Sequence, residues 1–419
     1  MLSIIFPPLY YGASLARQTR ANDVKSQPLP LACSSMKPGR WDIFCVVVDN
    51  YGDAGVAWRL ARELALEHGI AVRLYCDRLR TLASIVPAID ASRDGQSVDG
   101  IDVRAWGGPS ANDAIDADAD VVIDMFGCGL PESLLVAMTQ RPRQPVWINV
   151  EHLSAESWVA STHALPSRHP RLPLVRYFFF PGFSAGTAGL LRERDLFSRR
   201  DAFQSSEVAR ASLWRRLRLP PPGPGALAVS LFCYANHSLI VLADAWAEQS
   251  REVFCIVPPG AAWPALQAWM GGPPLQPGRP FRRGRLLISA IPFVAQDDYD
   301  ALLWACDLNF VRGEDSFVRA QWAARPLVWH AYPQAEDAHR LKVDAFLARY
   351  GKALPAGGAD AYRAFSRAWN DVTPMYADLW RGLMDFHATL DGHARAWAQE
   401  LERLPEFANS LAQFVSDRV

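Results

Sequence analysis

The sequence predicts an α/β protein built as two doubly wound halves, and three observations carry that expectation. Short apolar runs alternate with amphipathic stretches from residue 41 onward. Leu219-Pro-Pro-Pro-Gly-Pro-Gly225 breaks the alternation, which then restarts with the same rhythm. So dense a run of proline and glycine cannot lie inside a helix or a central strand, and it reads as a stiff linker. At 419 residues the chain has room for two or three domains. Its 50% hydrophobic and 21% charged residues supply a sizeable core and exclude global disorder.

The first half opens with the strand Trp41–Val48 and a polar turn, followed by the helix Gly55–His68. In that helix Val56, Leu60 and Leu64 fall on one side while Arg59, Arg62, Glu63 and Glu67 face out, the period of an amphipathic helix. Strands follow at Ala71–Tyr75, Ile101–Trp106, Val121–Asp124, Val146–Asn149 and Arg176–Phe180. Pro131–Gln140 reads as a helix with proline in its first turn. After the linker come the strand Ala226–Phe232, the helix Ser238–Glu248 and the strands Val253–Val257 and Arg285–Ser289. The helix Gln296–Ala305, the strand Leu308–Val311, the helix Ser316–Ala324 and the strand Leu327–His330 complete the second alternation. From about 359 to 418 the chain is helical and rich in Trp, Leu and Ala.

Residues 1–35 differ from the rest. Their apolar opening is short and broken by Pro7 and Pro8, and no basic leader precedes it, so they make neither a membrane span nor a signal peptide. They read as a disordered or non-native extension, with Met36 as the expected biological start. A net charge of −1 argues against a broad nucleic-acid surface. Of the 43 basic residues only Lys25, Lys37, Lys342 and Lys352 are lysine; this excess of arginine reads as coding bias. The seven cysteines are scattered singly with no C-x-x-C pair, which disfavours a zinc ribbon or dithiol site. Free thiols within apolar runs suit a reducing compartment, so the expected location is the cytoplasm.

Doubly wound halves bind ligands beyond the carboxyl ends of their strands, so a cleft between the halves is the expected site. Four segments could line it. Asp49-Asn-Tyr-Gly-Asp53 joins a strand to a helix; its two aspartates either end the strand and cap the helix, or serve as general bases. Arg312-Gly-Glu-Asp-Ser316 opens another helix, where free N–H groups and the helix dipole suit a pyrophosphate. There Asp315 or Ser316 is expected as the cap, and Glu314 and Asp315 would repel phosphate unless turned away. Phe293, Gln296 and Tyr299 stand at a third strand exit, with Phe232 and Tyr234 at a fourth. Such groups can stack on a base and read its edge, although Phe293 could equally be core. Phe183, after Pro181-Gly182, is expected on display in a loop facing the cleft. Glu151 and His152 are lone polar residues past a strand. The sequence holds no G-x-G-x-x-G, no P-loop, no G-x-S-x-G and no H-E-x-x-H.

Three groups of residues resemble the EarP family of protein-arginine rhamnosyltransferases. They are Trp41-Asp-Ile-Phe-Cys with Asp49-Asn-Tyr-Gly-Asp53 and Trp58-Arg-Leu-Ala-Arg62; Ile291-Pro-Phe-Val with Arg312-Gly-Glu-Asp-Ser-Phe-Val-Arg-Ala-Gln321; and Trp329-His-Ala-Tyr-Pro-Gln334. The resemblance runs from about residue 36 to the C-terminus. It implies a GT-B fold: two Rossmann-like doubly wound domains facing a cleft, with C-terminal helices crossing back to the first. The domains would be 36–218 with about 395–419, then the linker 219–225, then 226–394. The implied reaction moves rhamnose from dTDP-β-L-rhamnose to one arginine of translation elongation factor P, with inversion. On matching positions Asp53 would be the base, Asp49 its essential neighbour and Glu314 a third functional carboxylate. Asp315 and Ser316 would hold the diphosphate. Phe293 and Gln296, helped by Phe232, Tyr234 and Tyr299, would hold the thymine, and Phe183 would line the rhamnose pocket. No metal, nucleic acid or membrane is expected. The alternatives are a GT-B enzyme with another acceptor, an epimerase-like relative, and a nucleotide-binding module without catalysis.

Overall fold

Apolar runs of five or six residues are too short for helices but long enough for strands buried on both faces. That is how they fold in the computed structural model, which describes residues 39–111, 115–272, 274–334 and 337–418. The extension 1–35, including Cys33, lies outside the described residues.

The first half runs β1 (Arg40–Cys45), α1 (Tyr51–Leu66), β2 (Ala71–Cys76), α2 (Leu79–Ile85), β3 (Gly95–Val98), β4 (Ile101–Ala105) and β5 (Val121–Met125). It continues with α3 (Glu132–Thr139), β6 (Val146–Val150), α4 (Val159–Thr162), β7 (Pro166–Arg168) and β8 (Val175–Phe179). Its sheet has the order β3-β4-β2-β1-β5-β6-β8-β7, parallel except for the edge strands β3 and β7. Trp41, Ile43 and Cys45 of β1 join one apolar cluster and Phe44 another, so both faces of the sheet are covered. Chain order reverses at β1 and β5, the switch point where a Rossmann sheet leaves a crevice.

Two helices, α5 (Leu196–Ser205) and α6 (Glu207–Arg216), precede the proline linker. The second half runs β9 (Leu227–Leu231), α7 (Ser238–Glu248), β10 (Val253–Val257), α8 (Ala262–Met270), β11 (Phe281–Arg283) and β12 (Leu286–Ala290). It continues with α9 (Gln296–Ala305), β13 (Leu308–Arg312), α10 (Asp315–Trp322) and β14 (Leu327–His330). Its sheet order is β11-β12-β10-β9-β13-β14, with β11 antiparallel and the switch point between β9 and β13. Five helices close the chain: α11 (Ala338–Tyr350), α12 (Ala356–Trp369), α13 (Ala377–Asp385), α14 (His387–Glu402) and α15 (Phe407–Ser416). The two Rossmann-like halves make a GT-B fold, as the resemblance implies.

Packing draws the boundary between the halves differently from the expected residues. Leu196, Leu213, Trp214 and Leu217 join the second half's core, and α5 and α6 lie on α9, so these helices belong with the second half although they precede the linker. The return crossing also comes later than 395. Helix α14 still buries Leu390, Trp397 and Leu401 in the second core, whereas α15 buries Phe407, Leu411, Phe414 and Val415 in the first. Aromatic contacts between Phe407 and Phe179 and between Phe414 and Tyr177 fix that last helix to β8.

Helix α1 begins at Tyr51 rather than Gly55. The backbone closes a turn from Gly52 N–H to the Asp49 carbonyl at 2.8 Å. Asp53, in the first turn, accepts backbone N–H bonds from Val48 and Asp49 at 2.8 and 2.7 Å. Reaching back from the third helical position to the two residues before the cap residue Asn50, the Asp53 side chain ties the start of the helix to the strand exit without being its cap.

Candidate active site

Two adjoining cavities open between the strand ends of the halves. The larger, about 410 Å³, is lined by Asp49, Asp53, His152, Glu314, Trp329 and Lys342, among others. The smaller is a slot of about 60 Å³, with Phe232, Phe293, Gln296, Tyr299, Arg312 and Ser316 in its wall. Asp49 lines both and forms the wall between them.

Asp49 leaves β1 toward the second half, where its Oδ2 accepts the Tyr234 hydroxyl at 2.5 Å. Tyr234 follows β9, so this hydrogen bond joins the two switch points directly. Burial pushes the Asp49 carboxyl up to about 6, against the lowering effects of the Tyr234 hydrogen bond and the Arg312 charge. Gly313 makes the close approach possible. It has φ +60°, and a Cβ there would lie 2.2 Å from Asp49 Oδ2 and 2.8 Å from the Tyr234 hydroxyl.

Asp53 is buried, and burial also raises its pKa, opposed by the two backbone N–H bonds to Oδ2. Those bonds anchor Oδ2, and the residue lines the larger cavity. Glu314 enters the same cavity from the second half, and its Oε2 meets His152 Nδ1 at 3.1 Å. Burial lowers the His152 pKa, but the Glu314 hydrogen bond and charge outweigh it, so the ring's pKa is raised. His152 also stacks on Phe126 with centroids 4.3 Å apart, and Phe126 holds a left-handed φ of +58° at the cavity wall. Three carboxylates and one imidazole thus converge from both halves on one space.

The slot is more apolar. Phe293 packs on Tyr51 at 4.5 Å and Phe232 on Tyr299 at 5.9 Å. Gln296 is buried; its amide N–H group reaches the Gly55 carbonyl at 3.3 Å, and its Oε1 is buried without a partner. An unpaired buried acceptor beside two aromatic rings is suited to a donor on the edge of a planar heterocycle.

Arg312 joins the site without a role expected of it from the sequence. Its guanidinium sits 4.5 Å from the ring centres of both Phe232 and Tyr234, and among the described residues it forms no ion pair. A guanidinium without an ion pair beside the start of α10 is suited to receiving an anion. The residue lies inside a string singled out in the sequence, but its lack of a carboxylate partner is a tertiary fact.

Three expectations change. Phe183 is 2% exposed and packs against Phe317, Phe346 and Trp397, so it is core behind the cavity rather than a displayed ring. Its ring neighbour Phe317 does line the larger cavity. Asp315 and Ser316 do not cap α10: its cap residue is Glu314. Ser316 Oγ bonds both backbone groups of Arg312, at 3.1 and 2.5 Å. Asp315 gives its carboxylate to Arg59, at 2.8 Å, so what it offers an anion is its backbone N–H.

The family model for "Elongation-Factor P (EF-P) rhamnosyltransferase EarP" matches residues 41–416. The chain belongs to the EarP family. Protein-arginine rhamnosyltransferases of that family from Pseudomonas putida and Pseudomonas aeruginosa are each 47% identical to it. These alignments cover 89% and 90% of this chain and 98% and 99% of theirs. A relative from Shewanella oneidensis is 36% identical over 91% of this chain and 99% of its own. A solved EarP structure, described as the basis for EarP-mediated arginine glycosylation of elongation factor EF-P, superposes with a TM-score of 0.65 at 34% identity. It covers 91% of this chain and all of its own. As an EarP-family protein the chain is a glycosyltransferase. Among the described residues no helix is long and apolar enough to cross a membrane, and no group of three or more His, Cys, Asp or Glu is placed to hold a metal ion.

Proposed function

We propose that this chain transfers rhamnose from dTDP-β-L-rhamnose to an arginine side chain of translation elongation factor P in one inverting step. The observation that carries the reading is the position of Asp49 between a carboxylate-lined cavity and an aromatic slot. One side suits a sugar and a cationic acceptor, the other a nucleotide. Family membership supplies the substrates: the family model and the relatives name the sugar, arginine and elongation factor P.

In this reading thymine enters between Phe293 and Phe232, with Gln296 on its edge and Tyr299 beneath. The diphosphate lies against the first N–H groups of α10, beside Arg312. Oriented dipoles and one guanidinium stabilise the charge that develops as the C1–O bond breaks. The reading needs no metal. In the larger cavity Glu314 and Asp49 orient the acceptor guanidinium, and Asp53 Oδ1 takes its proton as the N–C1 bond forms. A guanidinium has a pKa above 12 and a delocalised lone pair, so orientation by carboxylates and proton removal act together. Inversion follows from placing base and leaving group on opposite sides of C1, in the two cavities.

The test is intact-mass analysis of elongation factor P after incubation with the protein and dTDP-β-L-rhamnose. A gain of one deoxyhexose on one arginine is expected. An unchanged mass, with transfer to a glycan instead, would assign another acceptor; dTDP binding without turnover on any acceptor would make the chain a binding module.

A further inference from the structure

Helix α1 carries the proposed base in its first turn and, two turns further on, a buried arginine that the mechanism does not use. The helical period places Arg59 and Glu63 on the outer face, but both are buried, and Arg59, 2% exposed, reaches into the second half. Its Nε meets Asp315 Oδ1 at 2.8 Å, and its two terminal nitrogens meet Asp300 at 3.2 and 3.0 Å. Arg319 of α10 grips the same Asp300 at 3.1 and 2.7 Å, and Glu193 bonds both arginines. Two of the three partners of Arg59, Asp300 and Asp315, therefore sit on α9 and α10, the helices whose first turns line the nucleotide slot, and Glu193 joins them from the segment before α5.

One turn earlier on α1 is Gly55. A Cβ there would lie 3.0 Å from Asp315 Oδ2 and 3.0 Å from Gln296 Nε2, so both side chains rest against bare backbone. Asp315 is thus held on two sides, by Arg59 at one oxygen and by Gln296 Nε2 at 3.4 Å from the other. Released, its carboxylate stands at the first residue of α10, where an anionic leaving group would meet the helix N-terminus.

We propose that Arg59 is a positioning residue for the donor site. It keeps the Asp315 carboxylate turned into the protein and away from the diphosphate, and it latches the base-bearing helix to the donor-binding helices. The proposal rests on the donor reading above. A purely structural ion pair would support everything nearby equally. This one restrains a carboxylate that would otherwise face the diphosphate, so its loss is felt by phosphate-bearing ligands first.

Calorimetric binding of dTDP and of thymidine to wild type, Arg59→Met, Arg59→Lys and the Arg59→Met/Asp315→Asn double variant tests this, with circular dichroism to check folding. For Arg59→Met the expected result is a loss of dTDP affinity of at least tenfold and a loss of thymidine affinity below threefold. In the double variant most of the dTDP affinity returns. Equal weakening of both ligands, or no recovery, would reduce Arg59 to a structural support and overturn the proposal. Should Arg59→Met not fold, Arg59→Lys keeps the charge and loses the Nε contact. The same dTDP-selective loss is expected there, as a raised donor KM with kcat little changed in transfer assays, and its absence overturns the proposal. Wild type that binds neither ligand would instead overturn the donor reading beneath it.

Discussion

Asp53 holds one carboxylate oxygen in two backbone N–H bonds and lines the larger cavity. Asn at this position keeps the shape and removes the base. Asp53→Asn is therefore expected to fold normally and lose at least ~10²-fold in kcat, the usual contribution of a positioned base, as read by elongation factor P glycosylation. Asp49 sets a pH dependence. Its carboxyl is raised to about 6, so it is charged at neutral pH and takes up a proton as the pH falls through that value. Transfer is expected to decline below about pH 6 as the acceptor clamp loses charge. The Tyr234 hydrogen bond lowers the Asp49 pKa, so Tyr234→Phe raises it and moves the acid limb of the pH–rate profile to higher pH. An acid limb that stays in place would separate Asp49 from that limb.

At the scale of elements, the strands and helices were largely legible, because burial on both faces leaves continuous apolar runs and burial on one face leaves a 3.6-residue period. The apolar run Val253–Val257 predicts a strand with its observed limits, and the period of Ser238–Glu248 a helix with its observed limits. The apolar period starts helix α1 four residues late, since Tyr51–Ala54 has no such period and is tied down by the backbone bonds of Asp53. The candidate site was legible as strings of residues but not as partnerships. Arg312 and Arg59 are both arginines within recognised strings; one is unpaired in the cleft and the other buried among carboxylates. Phe183 shows the same limit, because a loop aromatic after Pro-Gly reads as displayed until Phe317, Phe346 and Trp397 are seen around it. Phe183→Ala should cost ~3–5 kcal/mol of stability in denaturant titration and leave dTDP affinity nearly unchanged. A selective loss of donor binding in a stably folded variant would return this ring to the sugar pocket.

At the scale of the whole molecule, the last helix ties the two ends of the described chain together. Helix α15 buries Phe407, Leu411, Phe414 and Val415 in the first half's core, a contribution on the order of 6–12 kcal/mol by burial. That rivals the net stability of a domain, so a chain ending before Phe407 is expected to lose the cooperative melting of its first half, read by calorimetry. The aromatic slot, at about 60 Å³, is far below the roughly 300 Å³ of small ligand sites, so under the proposed function donor entry requires the halves or the slot's side chains to part. Amide exchange around 231–236 and 293–299 is expected to slow when dTDP is added, and exchange unchanged there would place the nucleotide elsewhere. The shared wall has one more consequence. The carboxylate of Asp49 belongs to both cavities, so a charge bound on either side changes the field felt on the other. The two ligands are then thermodynamically linked: whatever factor dTDP imposes on the affinity for a guanidinium, the guanidinium must impose on dTDP. Spent nucleotide left in its slot would thereby report, through a single side chain, on whether a new acceptor can be received.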